Sequence, residues 1–212
     1  NTVKKRRTLK TKSLKMAVEA EFTDDQKEKI NKFVQLAVRF NQTHNIFVRK
    51  SQEEVFEKDI QDCAPISEMI SDKKTIIDLG SGGGFPGVLL SIMKPNNKIY
   101  LLEGSRKKCY FLRQVVEALE LKNTTILNTS ITKNNNIGTF DVITARAFAP
   151  IDKIITLTQN NTTNRTEYIL LKGRTQKIQE ELKLLEKKKF KYEIIKQSNT
   201  KSERNIVVIK NE

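Results

Sequence analysis

The run Ile76-Ile77-Asp78-Leu79-Gly80-Ser81-Gly82-Gly83-Gly84-Phe85-Pro86-Gly87 constrains the fold of this chain more than any other segment. An apolar strand-like stretch passes directly into glycines, and a helix-like stretch follows at once. Glycine admits positive φ and lets another group approach the backbone with no Cβ in the way. The chain has 8 glycines, and Gly80, Gly82, Gly83, Gly84 and Gly87 all lie here. Chance does not readily gather them at one strand–helix junction. The segment therefore reads as a loop that cradles a nucleotide-type ligand. Pro86 suits the first turn of the helix it opens.

The pattern around this loop predicts an α/β fold. Short apolar runs at 75–79, 99–102, 124–127, 141–144, 168–171, 192–195 and 206–209 read as strands. Helical periodicity falls between them, at 105–121 with Tyr110, Phe111 and Val115 turned inward, at 151–159 and at 175–187. Such alternation implies a mostly parallel, doubly wound, Rossmann-like sheet with ligand loops at its carboxyl edge. Ahead of it, Thr23 and Gln26 have capping-box spacing, and Ile30, Phe33, Val34, Ala37 and Val38 share one helical face. A second helix over 52–63 carries Val55, Phe56 and Ile60 and ends near Pro65. The expected division is a basic arm over 1–20, a small helical cap over 21–72 and the ligand-binding domain over 73–212.

Charge narrows the partner. The net charge is +14 over 212 residues. Half of it sits on one short stretch: Lys4, Lys5, Arg6, Arg7, Lys10, Lys12 and Lys15 precede any acid. Further basic zones run over 172–196 and around Arg106, Lys107, Lys108 and Arg113. Clusters of this kind attract polyanions by neutralising phosphates and releasing counterions. The competing reading is a solubilising tail and ordinary solvated helix faces. No apolar run approaches the roughly 20 residues of a membrane helix. Cys63 and Cys109 offer neither a disulfide framework nor paired metal ligands, so a reducing compartment, the cytoplasm, is expected.

Gly82-x-Gly84-x-x-Gly87 satisfies a dinucleotide pattern, and Glu103 ends the second strand where a carboxylate can accept ribose hydroxyls. Both NAD and S-adenosylmethionine need that contact. Asp78 favours the second: it suits a ligand carrying ammonium and sulfonium charge and would repel a pyrophosphate. The single histidine, His44, has no evident partner for hydride chemistry. The chain lacks a phosphate-loop lysine motif, a metal-ligand cluster and a Gly-x-Ser-x-Gly elbow, so no metal is expected. Residues 144–150 do not carry the Asn/Asp-Pro-Pro-aromatic run of exocyclic-amine methylation. Neither cysteine looks activated for attack on cytosine.

The chain resembles the bacterial RsmG (GidB) methyltransferases. Asp78-Leu-Gly-Ser-Gly-Gly-Gly-Phe-Pro-Gly87 carries the likeness most particularly, through its Phe-Pro-Gly extension. Leu101-Leu-Glu103 with Arg106-Lys-Lys-Cys-Tyr-Phe-Leu-Arg113, Phe140-Asp-Val-Ile-Thr-Ala-Arg-Ala-Phe-Ala149 and Leu170-Leu-Lys-Gly173 extend it from about Thr23 to the C-terminus. The resemblance implies a class I fold and methylation of guanine N7 in 16S ribosomal RNA of the small subunit, by a monomer using S-adenosylmethionine. It implies that Gly80 and Phe85 line the cofactor pocket and that Ile131 and Thr132 flank the adenine. It also places Arg146 at cofactor and target base, and Lys172 on RNA, to which the basic clusters add Arg6, Arg7, Arg106 and Lys107. Asp59-Ile-Gln-Asp-Cys63 departs from the family's His-Ile-Leu-Asp-Ser run, and Asn45-Ile-Phe47 from its Asn-Leu-Thr. The rival readings are a nicotinamide-dependent oxidoreductase and a catalytically silent RNA-binding module.

Overall fold

In the computed structural model, residues 22–185, 190–198 and 202–211 are described. The basic arm, with Arg6 and Arg7, lies outside them. Seven strands form one sheet: β1 Thr75–Leu79, β2 Lys98–Leu102, β3 Thr124–Leu127, β4 Val142–Arg146, β5 Glu167–Lys172, β6 Phe190–Lys196 and β7 Asn205–Asn211. Their order is β3-β2-β1-β4-β5-β7-β6. The pairs from β3 to β5 are parallel, and β7 runs antiparallel to both its neighbours. Strands buried on both faces need apolar residues at successive positions, which is why the central strands read as continuous apolar runs. Successive residues then serve opposite layers. Ile76, Leu101, Ile169 and Leu171 enter the core on one face, and Ile77, Leu102, Tyr168 and Leu170 enter the core on the other.

The helices are α1 Asp24–His44, α2 Gln52–Val55, α3 Gln61–Cys63, α4 Gly87–Met93, α5 Arg106–Ala118, α6 Ile151–Thr158 and α7 Thr175–Lys183. The expected capping box forms: Gln26 N–H donates to Thr23 Oγ1 at 3.2 Å, and Thr23 N–H to Gln26 Oε1 at 3.0 Å. Helices α4 and α5 join the first core, whereas α6 and α7 cover the second. Tyr110, expected inside, is 54% exposed; the buried phase of α5 is Cys109, Phe111, Leu112 and Val115.

The second cap helix differs from expectation. A π-helical turn, Phe56–Ile60, separates α2 from α3, and the chain passes Pro65 as a 3-10 turn, Ala64–Met69. Proline tolerates the first turn of such a helix because its missing N–H had no partner there. Nor does the cap pack as a separate unit. Phe22, Ile30, Phe33, Val34 and Ala37 share one apolar core with Ile76, Val88, Leu89 and Phe111. Residue 72 is thus a change of pattern and not a break in packing.

Candidate active site

The carboxyl ends of β1, β4 and β5 open onto a cavity of about 700 Å3. The glycine loop leaves β1 through two main-chain anchors: Gly80 N–H and Ser81 N–H both donate to Leu102 O, at 2.8 and 3.1 Å. Gly80, Gly82 and Gly84 have φ of +67°, +55° and +94°. These are backbone states that L side chains adopt only with strain. Gly80 and Gly82 line the cavity, as does Phe85. A Cβ on Gly80 would come within 2.6 Å of the Phe148 ring, so the loop and the segment after β4 close together only because that side chain is absent.

Gly84 faces the other way. A Cβ there would lie 2.8 Å from Phe33 Cζ and 2.8 Å from Val88 Cγ2. Expected to touch the cofactor, it does not line the cavity, and its bare Cα gives α1 room to seat Phe33 beneath the loop, where that ring meets Phe85 at 4.9 Å.

The two expected ligand carboxylates are both turned to the loop itself. Asp78 is fully buried, with Oδ2 accepting from Gly87 N–H at 3.1 Å and Oδ1 from Thr144 Oγ1 at 3.2 Å. Burial pushes its carboxyl up to about 7, outweighing the polar contacts of Ser81, Gly87 and Thr144. It stands under the cavity floor and ties the start of the loop to the start of α4. Glu103 accepts from Gly82 N–H at 2.9 Å and from Ser105 N–H at 2.8 Å, joining the loop to the N-terminus of α5. A carboxylate oxygen has two lone pairs, so these bonds leave Glu103 able to accept a ribose hydroxyl as well.

Arg146, at the end of β4, lines the cavity with its guanidinium 5.6 Å above the Phe85 ring. Residues from the cap hold it. Nη2 donates to Asp59 Oδ1 at 2.6 Å, Nη1 lies 3.5 Å from Asp62 Oδ2, and Nη1 reaches Lys58 O at 3.3 Å. Asp59, 1% exposed on the π-helical turn, also accepts from Arg49 Nε at 2.7 Å and Nη2 at 2.9 Å. One buried carboxylate is therefore shared by two guanidiniums, a charge-assisted arrangement that fixes orientation as well as position. Burial raises the Asp62 carboxyl above its usual range despite Arg146 and Arg204 beside it. Burial likewise pushes the Cys63 and Cys109 thiols up, so neither supplies a thiolate nucleophile.

Other expected positions divide. Lys172 lines the cavity but is turned inward: Nζ donates to Ala149 O at 2.8 Å and pairs with Glu181 Oε2 at 2.7 Å. Glu181 Oε2 also accepts from Ile151 N–H at 3.0 Å, so this pair braces the β4–α6 loop. Arg106 and Lys107 are exposed on the first turn of α5, while the cavity wall takes the neighbouring Lys108. Ile131 is buried in the core cluster that holds Leu102, and Thr132 is exposed in a turn closed by Asn135. Sequence reasoning missed Arg49, Phe148, Lys177 and Arg204 as wall residues. The departure at Asp59–Cys63 marked the place of the cap cluster without showing its geometry.

The bare main chain of Gly80 and Gly82 and the Phe85 ring on the cavity wall, with the acceptor capacity left on the loop-bonded Glu103, fit a nucleoside ligand. The strand order with antiparallel β7, together with a glycine loop after β1, defines a class I S-adenosylmethionine-dependent methyltransferase. The fold is shared, at TM-scores of 0.58 and 0.57, with a ribosomal protein L11 methylase from Lactobacillus delbrueckii subsp. bulgaricus and a SAM-dependent methyltransferase from Aquifex aeolicus. Identities are 14% and 15%; the matches cover 72% and 74% of this chain and 77% and 92% of those chains. The chain belongs to the GidB family, rRNA small subunit methyltransferase G, whose model matches residues 26–207. A ribosomal RNA small subunit methyltransferase G from Brachyspira hyodysenteriae is 34% identical over 190 residues, covering 88% of this chain and 91% of the relative. One from Chromobacterium violaceum is 31% identical, over 78% of this chain and 81% of its own length.

Proposed function

We propose that this methyltransferase acts on small-subunit ribosomal RNA in the cytoplasm, as a monomer, and methylates N7 of a guanine without a general base. One observation carries the reading of the chemistry. Both carboxylates at the cavity wall are tied to cations, Asp62 to Arg146 and Arg204, Glu181 to Lys172. Guanine N7 presents an unshared pair and has no proton to lose, so it needs no base. Exocyclic amines must lose a proton, and cytosine C5 attack needs a thiolate.

S-adenosylmethionine supplies an electrophilic methyl group. The chain's own residues supply placement and exclusion of water. Gly80 and Gly82 admit the ligand against bare main chain, and Phe85 gives an apolar wall. Asp78 and Glu103 hold the loop, Glu103 with capacity left for ribose. Ile131 backs the adenine end and Thr132 forms its rim. Arg146, charged at every usable pH, orients the target base through its planar donors.

The test is methyl transfer from tritiated S-adenosylmethionine to small subunits lacking the modification, followed by chemical cleavage at N7-methylguanosine. Label on one guanine, with Arg146→Lys slowed about 10-fold or more because a point charge replaces a planar fork, is the expected result. Label on a cytosine or an adenine amine, or full activity in Arg146→Lys, would overturn it.

A further inference from the structure

A second groove lies on the cap, about 650 Å3 in volume, within the roughly 300–1,000 Å3 typical of ligand clefts. Arg49 and Lys108 line both this groove and the active-site cavity, so the two are neighbours that share a wall. We infer that this groove is a second binding site, taking the base and phosphate of the RNA nucleotide that neighbours the methylated guanine. The inference rests on the proposed activity and adds to it a site for the flanking nucleotide.

The chemistry of the wall matches a single-stranded nucleotide. Phe47 and Val48 give it an apolar side, and Val48 is 85% exposed. Phe47 rests against the glycine loop, where a Cβ on Gly83 would meet its ring at 2.9 Å. The lining also carries the cations Arg49, Lys50 and Lys108 and no carboxylate. Asp59 compensates Arg49, but among the described residues no carboxylate forms an ion pair with Lys50 or Lys108. An aromatic surface beside free ammonium groups is the arrangement by which proteins hold unpaired bases and their phosphates.

The groove is also pre-formed. Asn41 Oδ1 accepts from Ile46 N–H at 2.8 Å and Phe47 N–H at 3.1 Å, while its Nδ2 donates to Arg49 O at 2.9 Å. Asn45 turns the chain out of α1 at φ 46°. One side chain thus holds the whole 45–49 turn, and little ordering remains to be done on binding.

The experiment places a photo-crosslinking amino acid at Val48 in the full chain and irradiates it with unmethylated small ribosomal subunits. Primer extension then maps the crosslink against the independently mapped methylated guanine. We expect crosslinks on nucleotides immediately beside that guanine. Val48→Glu should weaken RNA binding about 10-fold, by burying a charge against a base and repelling phosphate, and leave affinity for S-adenosylmethionine unchanged. Lys50→Ala with Lys108→Ala should lower the log–log salt slope by about 1, as expected for one or two lost contacts to a single strand. Methylation with crosslinks elsewhere in the RNA, on a ribosomal protein, on a second copy of this chain, or nowhere, would overturn the inference. Absence of methylation would instead strike the activity on which it rests.

Discussion

The glycine loop is shaped by its own main chain, through three positive φ values and bonds to Leu102 O. The wall facing it is shaped by side chains, with Arg49, Asp59, Asp62, Arg146 and Arg204 converging from the cap, β4 and the β6–β7 turn. The loop's shape is set by its own backbone and by two neighbouring carboxylates, Asp78 and Glu103, that accept from its N–H groups. An ion cluster holds its shape only while each charge has its partner. With the loop proposed to meet the cofactor and the ion cluster to meet the target base, cofactor binding should tolerate a loss within the cluster and target placement should not.

The sharpest way to break that contrast is Asp59→Ala. It strands two guanidiniums at once, and breaking a buried pair costs about 3–5 kcal/mol. Both arginine side chains keep about a fifth of their surface in water, so the lower end of that range is expected. Urea unfolding would measure it. Methyl transfer should fall with S-adenosylmethionine affinity little changed, whereas a parallel loss of cofactor binding would dissolve the distinction between the two walls.

Within the loop, Gly84→Ala should cost about 2–4 kcal/mol, combining positive-φ strain with displacement of Phe33 and Val88. Asp78 adds a pH-dependent effect of about 3 kcal/mol between about pH 5 and 8. Its folded carboxyl, at about 7, lies above the ordinary unfolded value, so the folded state holds the proton more tightly. Stability from this group is fully present in acid and lost as pH rises through about 7. Asp78→Asn should therefore gain on the wild type between pH 5 and 8; a constant difference would mean that the carboxyl titrates normally. The smallest effect is Gly82→Ala, about 1 kcal/mol, because its Cβ would meet nothing nearer than Gly80 O at 3.6 Å. If it proves as costly as Gly84→Ala, the loop is not open on its cavity side.

The loop was legible because its residues are adjacent in sequence and their spacing reflects one local conformation. Which glycine serves the ligand and which serves the core was not legible. Gly84 faces inward because of Phe33, about 50 residues earlier. Lys172 read as a surface cation because nothing local marks Glu181, which turns it inward from a different helix. Likewise no pattern announces that Asp59 would join Arg49 to Arg146, since the join depends on a π-helical turn setting the phase of the cap. The existence of the strands followed from burial on both faces, whereas their order depends on long-range pairing; edge strand β6, half exposed, was longer than its apolar residues suggested.

The placement of β7 has a consequence for the order in which the molecule can be completed on the ribosome. It is the last strand in the chain, yet it lies inside the sheet between β5 and β6, where Val207 and Ile209 are fully buried. The cap emerges first with Phe33 waiting for the loop, and the sheet cannot close until residues 205–211 have been synthesised. Until then β5 presents an unpaired apolar edge, the kind of surface that pairs with other chains. A stalled or prematurely ended translation product should for this reason be prone to aggregate, although nearly every residue of the active site has already been made.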